Sequence, residues 1–400
     1  MSKTRRVALI VNSLSPYQRK IVRGVAAYAH ETGRWSLYVE DEPLNKLPNL
    51  RTWQGQGIIT TFNERKYAEA VHGLSIPVVG VEGGYGWYEP DSGIPYFATD
   101  DEAVAHMAAE HLIGQGFSRL AYCGMPRNRN NVWAQKRARA FLQAAREAKL
   151  PCSIYTGRHL TTRKWAELQR GLAKWLRSLK KPVGIMAAND ARARHILEAC
   201  RAIGARVPEE IAVIGVDNDE LMCELTEPPL SSVAQGASQV GYFAAELLDR
   251  MMSGKKSPRI ANYVAPERIV RRQSTDALAI DDADVANAVR FIREHACEHI
   301  RVTDVLNAVG MSRSTLDPRF RRIMGRTMHD EIQRTLIVQA QQLIVDGKLL
   351  LKQVAAKAGF AHIQHMTKLF RQRLGQTPSE FQRMARLGMT HPEPDSPSTE

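Results

Sequence analysis

An internal repeat in the last hundred residues constrains the fold of this 400-residue chain more than any other feature. In both copies a valine is followed by a glycine after five residues, and a phenylalanine by a glycine after five and a threonine after seven. The paired positions are Val305 and Val354, Gly310 and Gly359, Phe320 and Phe370, Gly325 and Gly375, Thr327 and Thr377, and Asp330 and Glu380. This duplication predicts two similar sets of short helices.

The second copy has the clearest helix signals. Gly359 permits the left-handed turn that ends a first helix, and Thr377-Pro378-Ser379-Glu380 has the residue types of a capping box. Between these segments, spacings of three and four residues predict a buried helix face formed by Met366, Leu369, Phe370 and Leu374. Each copy is therefore predicted to be a short helix, a turn, a basic helix and a capped helix. Such a tandem helix-turn-helix binds DNA.

The side chains opposite these buried faces are the candidate DNA contacts. Glutamine can pair with adenine through two hydrogen bonds, and lysine or arginine can contact guanine or phosphate. We expect contacts from Ile363, Gln364, His365 and Lys368 in the second copy and from Arg313, Ser314, Arg319 and Arg322 in the first. A solvated helix face is the alternative for any one of them, since about half or more of such contacts reach only phosphate and sugar.

The first copy departs from the second at two positions of its basic helix. Asp317 would be repelled by phosphate, although it could accept a hydrogen bond from cytosine. Pro318 removes one helical hydrogen bond and costs about 3 kcal/mol unless the helix kinks. We therefore expect base contacts in this copy from Arg313 and Ser314, with the later arginines facing phosphate or solvent.

Residues 286–388 resemble the AraC-type DNA-binding domain. The resemblance rests on Gly359-Phe360, Lys368-Leu369-Phe370-Arg371, Gly375 and Thr377-Pro378-Ser379-Glu380-Phe381. It implies that both recognition helices enter successive major grooves on the same face of the DNA.

Composition indicates two properties of the protein: a preference for an anionic partner and a location in a reducing compartment. The net charge is +13 and the isoelectric point about 9.6, which favours nucleic acid binding. Five scattered cysteines without a Cys-x-x-Cys pair indicate reduced thiols. The N-terminal apolar run is too short for a signal peptide, and no apolar segment approaches membrane-spanning length. We therefore expect a cytoplasmic protein with no membrane, metal or cofactor requirement.

From residue 6 to about residue 240, short apolar runs rich in β-branched residues alternate with amphipathic stretches. The runs are 7–11, 35–39, 57–61, 77–81, 119–123, 183–187 and 211–216. This alternation predicts parallel strands joined by helices, and the nearly continuous apolar character predicts sheets covered on both faces. A segment of about 270 residues is long for a single hydrophobic core, so we expect two α/β lobes with a cleft between them.

Polar side chains follow several predicted strands, where ligands bind in open α/β sheets. Asp, Asn, Gln and Arg side chains suit a polyhydroxylated ligand, and an aromatic ring can pack against a sugar. The candidate effector contacts are Asn12, Ser13, Arg19, Trp133, Arg137, Asn189, Asp190, Asp217 and Gln235. Helix capping is the alternative for the Asn and Asp residues, and a core position is the alternative for the tryptophan.

Residues 1–274 resemble the core of the Lac-repressor type, which is related to periplasmic sugar-binding proteins. The matching segments are 111–121, 188–193 and 208–218. In that family the positions of Arg137, Asn189 or Asp190, Asp217 and Gln235 contact the effector. The resemblance of the whole chain implies a transcription activator of pentose catabolism genes, not an enzyme. It would bind D-xylose and a double-stranded DNA operator, form a homodimer and recruit RNA polymerase.

The domain organisation follows from these segments. A sensing and dimerisation domain (1–274) precedes a polar, acidic linker (275–285), the DNA-binding domain (286–388) and a disordered tail (389–400). The predicted fold class is thus a two-lobed, periplasmic-binding-protein-like α/β domain followed by an all-α tandem helix-turn-helix. Response to a different small sugar, a sugar-processing enzyme and a transport receptor are the alternatives.

Overall fold

The apolar runs form two helix-flanked sheets in the computed structural model, which describes residues 4–11, 15–39, 50–82, 87–89, 92–128, 131–157, 164–255, 261–276, 280, 282–345, 347, 349–374 and 376–386. The strands are β1 (Arg5–Ile10), β2 (Trp35–Val39), β3 (Gly57–Thr61), β4 (Val78–Val81), β5 (Tyr96–Thr99), β6 (Leu120–Cys123), β7 (Cys152–Tyr155), β8 (Val183–Ala187), β9 (Ile211–Val216), β10 (Ser231–Ala234), β11 (Ala261–Val264) and β12 (Arg268–Val270).

The helices cover the two sheets and then form a separate C-terminal domain. They are α1 (Pro16–Thr32), α2 (Arg65–Val71), α3 (Asp101–Gly114), α4 (Val132–Glu147), α5 (Trp165–Ser178), α6 (Asp190–Ala202), α7 (Glu220–Glu224), α8 (Ala237–Met252), α9 (Ala283–His295), α10 (Val302–Val309), α11 (Arg313–Met324), α12 (Met328–Val345), α13 (Leu351–Lys357), α14 (Ile363–Leu374) and α15 (Pro378–Arg386). In the described part of the chain, no helix has the length and apolar character that crossing a bilayer requires.

Each lobe is built on one six-stranded sheet. The first has the order β11-β5-β4-β3-β1-β2 and the second β12-β10-β9-β8-β6-β7. All the pairings are parallel except that of β12 with β10. Strands β3, β8 and β9 are buried along their whole length, as expected for sheets covered on both faces. The predicted fold of this half is therefore confirmed.

Three described segments carry the chain between the lobes. The chain leaves β5 for α3 in the second lobe, returns from β10 to α8 in the first, and crosses again from β11 to β12. The crossings lie side by side, because the Asp100 amide donates to the Val264 carbonyl and the Glu267 amide to the Ala234 carbonyl, both at 2.8 Å. Residues at these crossings therefore lie where the lobes meet.

The two repeat copies share one core in the C-terminal domain, in which Phe320 and Phe370 are fully buried. The third helices, α12 and α15, both begin with reciprocal capping bonds. The Asp330 amide donates to Thr327 Oγ1 at 3.0 Å and the Glu380 amide to Thr377 Oγ1 at 3.2 Å, and each carboxylate accepts from the threonine amide in return. The predicted helix starts are confirmed in both copies.

The predicted linker, residues 275–285, includes parts of both neighbouring units. Thr275 is buried in the second lobe, where its hydroxyl lies 2.8 Å from Ser231 Oγ and 2.9 Å from His111 Nε2. Helix α9 begins at Ala283, and Asp282 caps it by accepting from the Val285 amide. The predicted tail, residues 389–400, lies outside the described residues.

A buried ion cluster lies where the C-terminal domain contacts the second lobe. Glu331 is fully buried, 2.5 Å from Arg326 Nε and within 4 Å of Arg293 and Arg334. Burial alone would raise the pKa of Glu331, but the three arginines hold it below its usual value. Arg326 Nη2 also lies 3.4 Å from the Gly114 carbonyl at the end of α3. A cation therefore faces the negative end of this helix.

Equivalent turn glycines in the two copies allow a matched test of the repeat. Gly310 and Gly359 both have left-handed backbones, with φ of 71° and 83°. A Cβ at Gly310 would meet nothing within 4 Å, whereas one at Gly359 would lie 2.5 Å from the Cys297 Cα. We predict that Gly310→Ala lowers the free energy of unfolding of the C-terminal domain by about 1 kcal/mol, the cost of a left-handed alanine. Gly359→Ala should lower it by about 3 kcal/mol, since the packing must also shift.

Thermal melting of the full chain and both variants, followed by circular dichroism, measures this difference. Equal losses in the two variants would contradict the asymmetric packing of the turns.

Candidate functional site

A cavity of about 140 Å³ lies between the two lobes, where strands of both sheets end. Pockets for drug-sized ligands have volumes of about 300–1,000 Å³, so this cavity suits one small molecule. It is lined by Ser15, Tyr17, Glu82, Ala98, Thr99, Asp101, Trp133, Arg137, Asn189, Asp217 and Gln235.

The buried guanidinium of Arg137, on α4, organises the second-lobe wall. Its Nε donates to Asp101 at 2.8 Å, its Nη1 to the Ala188 carbonyl at 2.7 Å and its Nη2 to Gln235 Oε1 at 2.9 Å. The Trp133 ring covers one face of the cation, with its centroid 4.7 Å from Cζ. Burial raises the pKa of Asp101, an effect that the charge of Arg137 opposes. Each of the three guanidinium nitrogens of Arg137 thus already donates a hydrogen bond within the protein, which makes the cation a poor binding partner for an acidic ligand.

Gln235 links this cation to a second carboxylate in the wall. Because Gln235 Oε1 accepts from Arg137, its Nε2 is free to donate to Asp217 Oδ1. Lys20 Nζ donates to the Asp217 and Asn218 carbonyls at 2.6 and 2.9 Å. Burial raises the pKa of Asp217 to about 6, against the opposing charges of Arg137 and Lys20. At neutral pH Asp217 is therefore a charged hydrogen-bond acceptor in the cavity.

The first-lobe wall consists of hydroxyl groups and one buried acid. Tyr17 Oη lies 2.8 Å from Thr99 Oγ1. Gln18 Nε2 and Thr61 Oγ1 both donate to Glu82 Oε2, at 2.5 and 2.8 Å. Carboxylates therefore reach the cavity from both lobes.

The structure brings five of the predicted effector contacts together. Trp133, Arg137, Asn189, Asp217 and Gln235 all line the cavity. Asn189 also caps α6 through its side-chain oxygen, which accepts from the Arg192 amide at 3.0 Å. Its amide nitrogen can still donate to a ligand. For Asn189, capping and ligand contact are thus compatible.

Two of the predicted effector contacts that the structure describes, Asp190 and Arg19, do not line the cavity. Asp190 accepts from Ser232 Oγ at 2.6 Å and the Asp219 amide at 2.8 Å, beneath the strand ends, so we assign it to the support of this edge. Arg19 is exposed on α1 and does not line the cavity, since the helix turns it to the outer surface. Asn12 and Ser13 lie outside the described residues.

Several residues that line the cavity are not among the predicted contacts, although two of them lie at or near the ends of strands. Glu82 directly follows β4, and Asp101 is the second residue after β5. The sequence predicts a strand at 77–81, but it carries no clear strand signal for β5. Tyr17 and Ser15 lie at the start of α1, where the sequence carries no comparable signal.

The cavity can bind a neutral hydroxylated ligand. Carboxylate and amide acceptors face donors from Asn189 and hydroxyl groups, with an indole ring nearby. Among the described residues, no group of three or more His, Cys, Asp and Glu side chains is placed to hold a metal ion.

The second candidate surface is the outer face of α14. Met366, Leu369 and Phe370 are buried as predicted, whereas Gln364, His365 and Lys368 are exposed and Ile363 is half-buried. A shallow depression on this face is lined by Ile363, Gln364, Thr367, Lys368, Arg371 and Gln372. The predicted contacts of the second copy thus share one accessible face.

The equivalent helix of the first copy, α11, also presents exposed cations, but it carries a carboxylate among them. Arg313, Ser314 and Arg322 are exposed, and the helix continues through Pro318. Asp317 forms an ion pair with Arg321 at 3.1 Å. The two recognition helices therefore differ in that only α11 contains an acidic residue.

Arg319, which the sequence predicts to face phosphate or solvent, is paired with acidic residues of the protein instead. Its guanidinium forms ion pairs with Asp282 at 2.6 Å and Asp284 at 2.9 Å, at the start of α9. The two carboxylates neutralise the charge of Arg319 within the protein, so its ion pairs connect α11 to the start of α9.

Comparison with known proteins agrees with this architecture. Residues 6–102 match the XylR N-terminal domain, residues 109–275 a periplasmic binding protein-like domain and residues 305–384 a helix-turn-helix domain. The solved structure of the xylose-binding transcription activator xylR is 36% identical and covers 96% of this chain and 98% of its own, with a TM-score of 0.62.

Curated relatives match over nearly the whole chain. The xylose operon regulatory protein of Escherichia coli (strain K12) is 36% identical over 381 residues, 95% of this chain and 97% of the relative. That of Haemophilus influenzae is 34% identical over 377 residues, 94% of this chain and 97% of the relative. These relatives are transcription regulators, which confirms the prediction of a DNA-binding regulator rather than an enzyme. The chain belongs to the family of xylose operon regulatory proteins.

Proposed function

We propose that this protein activates transcription of pentose catabolism genes when D-xylose occupies the cavity between its lobes. The observation that carries the proposal is a small cavity with carboxylates from both lobes, in one chain with a tandem helix-turn-helix. The relatives named for the xylose operon and for xylose binding support D-xylose as the effector. A different small sugar is the alternative.

The ligand would act by joining the lobes. Tyr17, Thr99 and Glu82 approach from the first lobe, and Asn189 and Asp217 from the second. A ligand that contacts both walls favours the closed arrangement, since it shifts the equilibrium by its differential affinity. Helix α3 begins at the cavity and ends beside Arg326 of the C-terminal domain. A closure that moves α3 would therefore alter the position of the DNA-binding helices.

The other partners follow from the same proposal. The exposed faces of α11 and α14 would contact a double-stranded DNA operator in the major groove, with the larger share of base contacts from Gln364, His365 and Lys368. We further propose a cytoplasmic homodimer that recruits RNA polymerase. All five cysteines are free thiols, which is compatible with a reducing compartment.

Asp217→Asn tests the sugar site. The substitution keeps the shape of the side chain and removes its charge, so we expect the Kd for D-xylose to rise about ten- to hundredfold, the range for a hydrogen bond to a charged group. Isothermal titration calorimetry of the full chain measures the Kd, and DNA binding with and without the sugar measures the response.

Glu220→Gln, an exposed change on neighbouring α7, is the matched control and should bind D-xylose like the unchanged protein. Asp217→Asn should retain sequence-nonspecific DNA binding. An unchanged Kd in Asp217→Asn, or loss of sugar and DNA binding together, would argue against the proposed site.

Gln364→Ala tests the DNA-binding surface. A glutamine that pairs with adenine contributes about 1–3 kcal/mol of discrimination at one base pair, so the variant should bind DNA with relaxed preference at one position. Selection of bound sequences from randomised duplex DNA measures this preference. Arg321→Ala is the control, because the charge of Arg321 is already paired with Asp317. Equal relaxation in both variants would contradict the assignment.

A further inference from the structure

Glu82 is a buried acid at the cavity wall, and its backbone has an uncommon conformation. It directly follows β4, lines the cavity and is only 5% exposed. Its φ of 65° places a residue with a side chain in the left-handed region. Such backbones are uncommon and cluster at functional sites.

In the described part of the chain, hydrogen-bond donors reach only one of the two carboxylate oxygens of Glu82. Gln18 and Thr61 both donate to Oε2. Among the described residues, no side chain or amide donates to Oε1, and no lysine or arginine forms an ion pair with the carboxylate. A buried acid with an unused acceptor is costly unless another partner supplies a donor. Because Glu82 lines the cavity, a bound ligand can supply it.

The charges around Glu82 would not attract an acidic ligand. The titratable groups that share this space are Asp217 after β9, Tyr17 and Lys20 on α1, Asp101 on α3 and Arg137 on α4. Lys20 donates to backbone carbonyls, and Arg137 is held by Asp101, the Ala188 carbonyl and Gln235. Burial raises the pKa of Glu82 to about 7, with a further contribution from Asp217. The carboxyl is therefore mostly charged above neutral pH.

We propose that Glu82 is the specificity-determining residue of the first lobe. Its Oε1 accepts a hydrogen bond from a hydroxyl of a neutral sugar, and its charge excludes sugars that carry a carboxylate. This inference rests on the proposed sugar-binding function. Asp217 supplies the matching acceptor from the second lobe, so the site selects an uncharged ligand with hydroxyl groups at both ends. D-xylose should therefore bind in strong preference to D-xylonate, which has the same carbon skeleton with an oxidised C1.

Titration calorimetry of the full chain with D-xylose and with D-xylonate, at about pH 8 where Glu82 is charged, tests the proposal. The unchanged protein should bind D-xylonate at least about a hundredfold more weakly than D-xylose, because like charges in a buried site repel strongly. Glu82→Gln should bind D-xylose about tenfold more weakly, since a neutral acceptor makes a weaker hydrogen bond. In that variant the ratio of the Kd for D-xylonate to the Kd for D-xylose should be smaller than in the unchanged protein. Glu89→Gln, an exposed change in the same lobe, should behave like the unchanged protein.

The outcomes separate this inference from the proposed function. If Glu82→Gln binds both ligands like the unchanged protein while Asp217→Asn no longer binds D-xylose, Glu82 does not determine specificity. The proposed sugar-binding function would then still stand. If the unchanged protein binds no neutral sugar, the proposed function and this inference fail together.

A pH series on the unchanged protein provides a second test that needs no folded variant. Between about pH 8 and about pH 7, Glu82 gains much of its proton while Asp217, whose pKa is about 6, stays mostly charged and D-xylonate keeps its charge. The preference for D-xylose over D-xylonate should fall across this range, and a constant preference would overturn the proposal.

Discussion

The cavity depends on the buried guanidinium of Arg137 more than on any other group. Its donors reach three separate segments, namely the start of α3, the loop after β8 and the crossing after β10. A buried cation is tolerated only when several partners compensate its lost hydration. Arg137 therefore fixes the spacing of the strand ends, and its bond to Gln235 sets the direction in which that amide donates to Asp217. Arg137 thus orients the Asp217 carboxylate, through Gln235, as an acceptor in the cavity wall.

The same network joins the cavity to the rest of the chain. Asp101, which pairs with Arg137, is the first residue of α3, and Gly114 is the last. A helix of this length spans about 20 Å. At its far end the Gly114 carbonyl lies beside Arg326, which is paired with the buried Glu331 of the C-terminal domain. One rigid element therefore has an end in the candidate effector site and an end against the DNA-binding domain.

The parts that the sequence predicts well are those with a local pattern. All seven predicted apolar runs are strands, and both capping boxes form as expected. Polar residues after strands led to the prediction of Asn189, Asp217 and Gln235, which line the cavity, but Glu82 after β4 and Asp101 near the end of β5 were not predicted. Arg319 shows the limit of helical periodicity, because its partners Asp282 and Asp284 lie about 35 residues away and meet it only through packing. Contacts between lobes leave no periodic signal at all.

We propose that a sugar in this cavity bridges the two lobes. The most direct measurement is a crystal structure of the full chain grown with D-xylose. We expect one pentose between Glu82 and Asp217, with its hydroxyl groups within hydrogen-bond distance of carboxylate oxygens from both lobes. A pentose bound to one lobe only, or bound outside this cavity, would contradict it.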